Sequence, residues 1–314
     1  MLTGGAGYIG AHVLRALQRS GRDVVVVDDL STGIAARVPE NVPMIRASVL
    51  DTDALTAAMK DHHVTGVVHL AAKKAVGESM ERPLWYYREN VDGILSVLTA
   101  MAEAGVRNIV YSSSAAVYGE PDQSPVTEDV PLQPISVYGE TKVLGEWAVK
   151  SVAAVNDMSW LSLRYFNVAG AESAELGDTS VANLIPIVLG ATSAGEPAKI
   201  FGADYPTPDG TCIRDYIHVV DLAEAHAAAA AAAEAGQVGA SVNIGTGHGS
   251  SVIEVIDSVS RALGEPIVRS VIARRAGDPA ELVATADRAQ ELLGWRAKHN
   301  LDDMVASAVA ARKS

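Results

Sequence analysis

At 314 residues, 48% of them hydrophobic, the chain is long enough to bury a large core, and about 150 residues per domain predicts two lobes. A net charge of −13 argues against nucleic acid or an anionic membrane surface as the main partner, while a few local arginines and helix N-termini still suffice for an anionic small molecule. Cys212 is the sole cysteine, no charged leader precedes an apolar signal segment, and the longest apolar stretch, Ala227 to Ala233, is far too short for a bilayer. A cytoplasmic protein with no disulfide and no metal site is expected.

In chain order, Thr3-Gly4-Gly5-Ala6-Gly7-Tyr8-Ile9-Gly10 comes first, followed by the helical pattern Val13, Leu14, Leu17 and the valine run Val24 to Val27, which ends at Asp28. This reads as strand, glycine turn, helix, strand. Gly4 permits the tight turn, Gly7 lets backbone approach a pyrophosphate at the helix N-terminus, and Gly10 allows the helix to pack closely on the strand. Asp28, 18 residues after Gly10, is placed to accept hydrogen bonds from an adenosine ribose diol and to repel a 2′-phosphate, so NAD is favoured over NADP. Only Met1, Leu2 and Thr3 precede the turn, against about five or six residues in an ordinary strand. The first strand looks clipped: either the chain begins late relative to its relatives or the strand is truly short, and a short central strand would lose backbone pairing beneath the cofactor.

Further strands are predicted at Gly66-Val67-Val68-His69-Leu70 and Asn108-Ile109-Val110-Tyr111-Ser112, alternating with helix-length segments to about Val155. That alternation implies an α/β fold of the Rossmann type, a doubly wound parallel sheet with right-handed crossovers. Residues 1–165 are expected to form the NAD-binding domain. Residues 166–314 are expected to be mostly a smaller C-terminal substrate-binding lobe, with some segments returning to the sheet. Within it, 202–210 with Pro206 and Pro208 reads as a loop, and Asp221 is expected to cap an alanine-rich helix towards Glu234 whose Leu222, Ala225 and Ala229 face a core.

The pentad Tyr138-Gly139-Glu140-Thr141-Lys142 lies 24 residues after the triplet Ser112-Ser113-Ser114. Tyrosine, with a reference pKa of about 10, is a poor base, but a lysine four residues on shares its helix face. Lowering a phenol by about three units takes roughly 4 kcal/mol, within reach of an ammonium plus a nicotinamide cation in a partly dry cleft. Ser114 would hydrogen-bond the same substrate hydroxyl. Redox chemistry at a carbinol is the leading reading.

With both motifs in hand, the chain resembles the extended short-chain dehydrogenase/reductase family and, within it, the UDP-glucose 4-epimerases, over nearly its whole length. The resemblance is carried further by Lys74-Ala75-Val76-Gly77-Glu78-Ser79, by Ser112 through Gly119, by Arg164-Tyr165-Phe166-Asn167, and by the segment from Ile200-Phe201-Gly202 to Arg214-Asp215-Tyr216-Ile217-His218-Val219. It implies Ser114, Tyr138 and Lys142 as the catalytic set. It implies cofactor contacts from Gly4, Gly7, Tyr8, Ile9, Gly10 and Asp28, from Ser48, Val49, Leu70, Ala71, Lys74 and Glu89, and from Phe166 beside Tyr138 and Lys142. For the UDP-sugar it implies Lys74, Ser114, Asn167, Asn183, Leu184, Phe201, Arg214, Arg275, Asp278 and Leu282. Guanidinium forks of Arg214 and Arg275 suit phosphate, and Asp278 suits the uridine ribose.

The implied reaction interconverts UDP-galactose and UDP-glucose through a transient 4-keto sugar, with NAD tightly bound and a homodimer formed through the Tyr138 helix and the helix around Asn90 to Ala104. Three departures stand out: Ser48-Val49 where an Asp-Ile pair usually meets the adenine, Glu89 for the usual asparagine, and Ala116 for the usual threonine. Leu282 stands where a bulky tyrosine would close the hexose pocket, so weaker activity on UDP-N-acetylgalactosamine is expected beside the main one. An epimerase or decarboxylase for UDP-N-acetylglucosamine or UDP-glucuronate remains open, as does a non-catalytic dinucleotide sensor, although such sensors commonly lack the Tyr/Lys pair. A 4,6-dehydratase would need an Asp-Glu pair where Ala115-Ala116 stand.

Overall fold

The β-branched runs of the first half form strands β1 (Leu2–Thr3), β2 (Val26–Asp28), β3 (Met44–Arg46), β4 (Val67–His69), β5 (Asn108–Ser112) and β6 (Ser159–Tyr165) in this computed structural model, which describes residues 1–180, 183–236, 238–275 and 278–313. Between them lie helices α1 (Tyr8–Arg19), α2 (Thr52–Asp61), α3 (Val76–Glu81), α4 (Pro83–Tyr86), α5 (Gly93–Ala104) and α6 (Val137–Asn156). The second half adds β7 (Asn167–Ala169), β8 (Ala198–Phe201), β9 (Ile213–His218), β10 (Gly239–Ile244), β11 (Gly249–Ser251), β12 (Arg269–Ile272) and β13 (Glu281–Leu282). Its helices are α7 (Leu184–Ser193), α8 (Val219–Ala235), α9 (Val252–Leu263), α10 (Asp287–Leu293) and α11 (Leu301–Lys313).

Seven strands build one parallel sheet in the order β10-β6-β5-β4-β1-β2-β3. The order reverses at β1, and a parallel sheet opens its ligand crevice at such a reversal, outside the carboxyl ends of the strands. This is the doubly wound architecture that the alternation implied. Residues two apart share a sheet face, and the core divides accordingly: Leu2, Val26, Val68 and Val110 meet α1 and α8, while Val27, Val67, Ile109 and Tyr111 meet α2, α5 and α6.

β1 is as short as expected, but the loss of pairing is not found. Leu2 and Gly4 N–H donate to Val25 and Val27 carbonyls at 2.8 Å, and on the other side Met1 and Thr3 carbonyls accept from Val68 and Leu70 at 2.9 and 3.2 Å. Its flanks β2 and β4 hold three residues each, so the ladder is short throughout this part of the sheet.

A second correction concerns α8. Its N-cap is His218, whose Nδ1 accepts from the Val220 N–H at 3.1 Å, and not Asp221. Asp221 is buried in the first turn and takes the N–H groups of Lys298 and His299, each at 3.0 Å, together with His299 Nδ1 at 2.9 Å. The polyalanine face behaves as expected: Leu222, Ala225 and Ala229 are wholly buried against α1.

The second half forms its own small core, with Ile185, Leu189, Val255, Val259 and Val305 between α7, α9 and α11. Yet β10 returns to the large sheet, pairing with β6 from Gly239↔Trp160 to Ile244↔Tyr165. On α5, Ile94 and Leu98 are core while Leu95 is 44% exposed. Among the described residues no helix is long and apolar enough to cross a membrane.

Candidate active site

The glycine turn sits where sheet order reverses. Gly4 has φ +72°, and a Cβ there would lie 2.8 Å from the Ala71 nitrogen; a Cβ on Gly10 would collide with the Gly4 carbonyl. Both positions exclude a side chain, and the N-terminus of α1, capped by the backbone of Gly7, is left open to a phosphate. Asp28 closes β2 and braces the turn, accepting from Ala6 N–H through Oδ2 and from Leu30 N–H through Oδ1, both at 2.9 Å. Leu70 and Ala71 leave β4 directly beside it, their N–H groups bonded to Thr3. Tyr8 and Ile9 open α1, but the Tyr8 hydroxyl is committed to the Gly170 carbonyl at 2.6 Å, so only its backbone faces the turn.

Helix α6 starts where Ser136 accepts from the Gly139 N–H at 3.1 Å, which leaves Tyr138 and Lys142 on the turn nearest β5. Tyr138 is 8% exposed and Lys142 3%. Lys142 Nζ donates to the Ser112 carbonyl at 2.8 Å, lying 5.8 Å from the Tyr138 ring centroid and 5.1 Å from that of Tyr111. Ser114 is half-buried, caps the 3₁₀ turn Ala115–Val117 by accepting from the Ala116 N–H at 3.2 Å, and lies close enough to Tyr138 to draw its pKa down. The three expected catalytic residues are therefore brought together at the end of β5. Burial raises Tyr138 and Ser114 pulls it back, leaving the phenol above its ordinary value; burial lowers Lys142 to about 8 while Glu146 opposes the fall. Lys142 thus does not activate the tyrosine unaided.

Lys74 is exposed on the loop after β4, and Glu89 is half-buried in a π-helical turn, Tyr87–Asp92, of the kind often found at functional sites. Asn90, its neighbour, was missed in sequence: it is 3% exposed, exchanges hydrogen bonds with the Lys73 backbone at 2.8 and 2.9 Å, and donates to Thr141 on α6 at 3.0 Å. It ties the Lys74 loop to the Tyr138 helix. Ser48 and Val49 follow β3, Ser48 accepting from Leu50 N–H at 3.2 Å and Val49 packing into the core by Gly93.

Phe166 is buried with Ala115, Val117 and Leu282 in one cluster, so Leu282 sits against the turn that Ser114 caps. β13 pairs with β9 in the register Leu282↔Arg214, and Arg214 Nη2 meets Asp278 Oδ1 at 3.3 Å. Arg275 is exposed and stacks 3.8 Å over Phe201, a flat cation on a ring face. Asn167 is exposed at the start of β7, and Leu184 begins α7. Asn183 is turned to a different partner, its amide donating to Asp178 at 2.7 Å.

Two further groups escaped the sequence reading. Tyr165 is held far up by burial and by Tyr138 beside it, with Ser112 opposing the rise. Glu146 forms a buried ion pair with Arg164 at 2.6 Å. Its signal was one more step of the Tyr138/Lys142 spacing of four. Such an arrangement is chemically able to hold an alcohol between a phenol and a hydroxyl, near a glycine cradle suited to a dinucleotide, with cations in the second lobe suited to a diphosphate.

The model of the NAD dependent epimerase/dehydratase family matches residues 1–245. A UDP-glucose 4-epimerase of Azospirillum brasilense is 44% identical over 321 residues, covering 100% of this chain and 92% of the relative. Among solved structures, the UDP-glucose-4-epimerase of Stenotrophomonas maltophila with bound NAD and formylated UDP-arabinopyranose superposes with TM-score 0.94 at 37% identity, over 99% of this chain and 97% of the other. The UDP-glucose 4-epimerase of Brucella ovis in complex with NAD gives TM-score 0.94 at 39% identity, over 99% and 97%.

Proposed function

The chain belongs to the NAD dependent epimerase/dehydratase family, and we propose that it interconverts UDP-galactose and UDP-glucose through a transient 4-keto sugar. The observation that carries this is the convergence of Tyr138, Ser114 and Lys142 at the crevice where the glycine turn lies. Among relatives, 44% identity over the full chain supports the same reading. The glycine cradle, where no Cβ fits at Gly4 or Gly10, and the Asp28 carboxylate suit NAD, which when bound would supply reversible hydride acceptance and a positive charge.

Tyr138 takes the 4-hydroxyl proton at its phenolic oxygen and later returns it. Ser114 hydrogen-bonds the same substrate oxygen and holds it in line. Lys142, an ammonium up to about pH 8, keeps a positive charge near the phenol. Arg214, Arg275, Phe201 and Asp278 grip the nucleotide, so that binding energy is concentrated away from the hexose and the keto sugar is free to turn its other face. Residues 166–314 serve mostly as that grip, and 1–165 as the cofactor half. A homodimer through α5 and α6 would cover Leu95 and Trp147, which are 44% and 58% exposed; the cytoplasm is the compartment this reading assigns.

Purified protein mixed with UDP-galactose and no added NAD should yield UDP-glucose, and protein denatured afterwards should release NAD. Absence of UDP-glucose from protein that releases NAD would overturn the substrate, and absence of released NAD would overturn the resident cofactor.

A further inference from the structure

Behind Lys142 a carboxylate is held by four donors. Glu146 is 4% exposed and lies one turn beyond Lys142 on α6. Arg164 of β6 donates Nε to its Oε1 at 2.9 Å and Nη2 to its Oε2 at 2.6 Å. The Ser113 hydroxyl donates to Oε1 at 2.5 Å, and the Ser241 hydroxyl, from β10, to Oε2 at 3.0 Å. Arg164 is fixed in turn, its Nη1 donating to the Tyr118 hydroxyl at 3.0 Å and the Glu128 carbonyl at 3.1 Å. With its lone pairs met from β6, from β10 and from the residue that follows β5, this carboxylate has one available position.

Ser113 stands between two groups that the reaction uses. On one side the Ser112 carbonyl takes Lys142 Nζ at 2.8 Å; on the other Ser114 opens the turn beside Tyr138 and draws its pKa down. The Ser113 main chain is pinned to β6 by its N–H on the Leu163 carbonyl at 2.8 Å. Its side chain is pinned to α6, the helix that carries Tyr138 and Lys142. The strand end and the helix therefore meet through Glu146.

We propose that Glu146, clamped by Arg164, is a positioning residue that acts through the Ser113 hydroxyl to set the register of the Ser112–Ser114 segment against α6, and hence where Ser114 and Lys142 stand relative to Tyr138. The proposal rests on the epimerase reading above. A merely structural carboxylate would give a different pattern, because Ser113 and Ser241 bond opposite oxygens of the same group and only Ser113 adjoins the site.

The test compares Ser113→Ala, Glu146→Asp and Ser241→Ala with the wild type in kcat and KM for UDP-galactose, melting temperature and bound NAD. Ser113→Ala should lower kcat roughly tenfold with KM and NAD content unchanged, since displacement of a catalytic group by a fraction of an ångström costs chemistry before binding. Glu146→Asp keeps the charge against Arg164 but withdraws the carboxylate by one methylene, and should reproduce that loss. Ser241→Ala should keep kcat within about twofold, the span of an ordinary substitution away from the site. Equal kcat losses in Ser113→Ala and Ser241→Ala, or full kcat in Ser113→Ala, overturn the proposal. A wild type that releases NAD but does not act on UDP-galactose overturns the epimerase reading, and this inference with it.

Discussion

Behind Tyr138, the groups Lys142, Ser113, Glu146 and Arg164 are buried and hydrogen-bonded to strand and helix alike, whereas in the second lobe Arg275 is exposed and stacks on Phe201, and Arg214 holds Asp278 at 3.3 Å. The first region is ordered by the fold itself. The second offers an exposed guanidinium, that of Arg275, on a half-buried ring face, and ordering such a long side chain costs about 0.5–1.5 kcal/mol when a ligand arrives. On the proposed reading, precision is thus concentrated where a proton would move, and adaptability where a nucleotide would be held while its hexose turns.

The largest expected effect tests the first region. Tyr138→Phe keeps the buried ring but removes the proton acceptor, so kcat should fall by about 10³-fold or more, with NAD content and melting temperature unchanged. Near-normal epimerisation by this variant would remove Tyr138 from the mechanism. Next comes Arg164→Met, which strands Glu146 as an unpaired buried carboxylate; a loss of about 3–5 kcal/mol in denaturant unfolding is expected. A loss under about 1 kcal/mol would mean that the site is far wetter than its burial indicates.

Acid should strike the half that holds the large sheet. Burial lowers His12 and His226 to about 4 and His69 to about 3, so all three are neutral in the folded protein. Their folded values lie below the unfolded value of about 6.5, and the stability this gives is present above about pH 6.5 and lost as pH falls towards 4, by up to about 1.4 kcal/mol per pH unit for each histidine. Unfolding free energy that stays flat from pH 7 to pH 4.5 would contradict their burial.

The second region should answer in binding alone. Arg275→Ala is expected to raise KM for UDP-galactose about tenfold with kcat and melting temperature held, because an exposed cation contributes little to folding. A kcat loss as large as the KM change would erase the contrast between the regions. Smallest is the effect at their junction, where Leu282 packs with Val117 and Phe166. Leu282→Tyr should lower, and Leu282→Ser should raise, the ratio of UDP-N-acetylgalactosamine to UDP-galactose specificity constants, within the ~1–3 kcal/mol that pocket size achieves. A constant ratio across the three proteins would show that Leu282 does not line the pocket.

These contrasts follow how information lies along the chain. The parallel sheet, the glycine turn and the Tyr138/Lys142 pair are local patterns of periodicity and spacing, and all three were legible. Glu146 was overlooked although it repeats that spacing once more, since its significance depends on Arg164 and Ser113, which arrive from separate strands. The cap of α8 was misassigned for a similar reason: Asp221 has the right chemistry for a cap, but its carboxylate is claimed by the segment at Lys298 and His299, and a histidine serves instead. Asn183 was named for its type and the motif around it, and the fold adds a partner for its amide in Asp178, five residues away. The expected loss of pairing in the first strand is not found, because β2 and β4 flank it and each of its two residues has a partner on both sides.

The grip of Asp221 on the segment before α11 has a bearing on cooperativity. That carboxylate roots in a helix of the large sheet a stretch of chain that leads into the core of the smaller lobe, and the Tyr8 hydroxyl on Gly170 and the Arg37 guanidinium on Gly177 at 2.6 Å fasten the lobes a second and third time. A hinge motion of the smaller lobe would have to break these buried bonds together. Heat or denaturant should therefore melt both halves in one transition, with no folded half outliving the other.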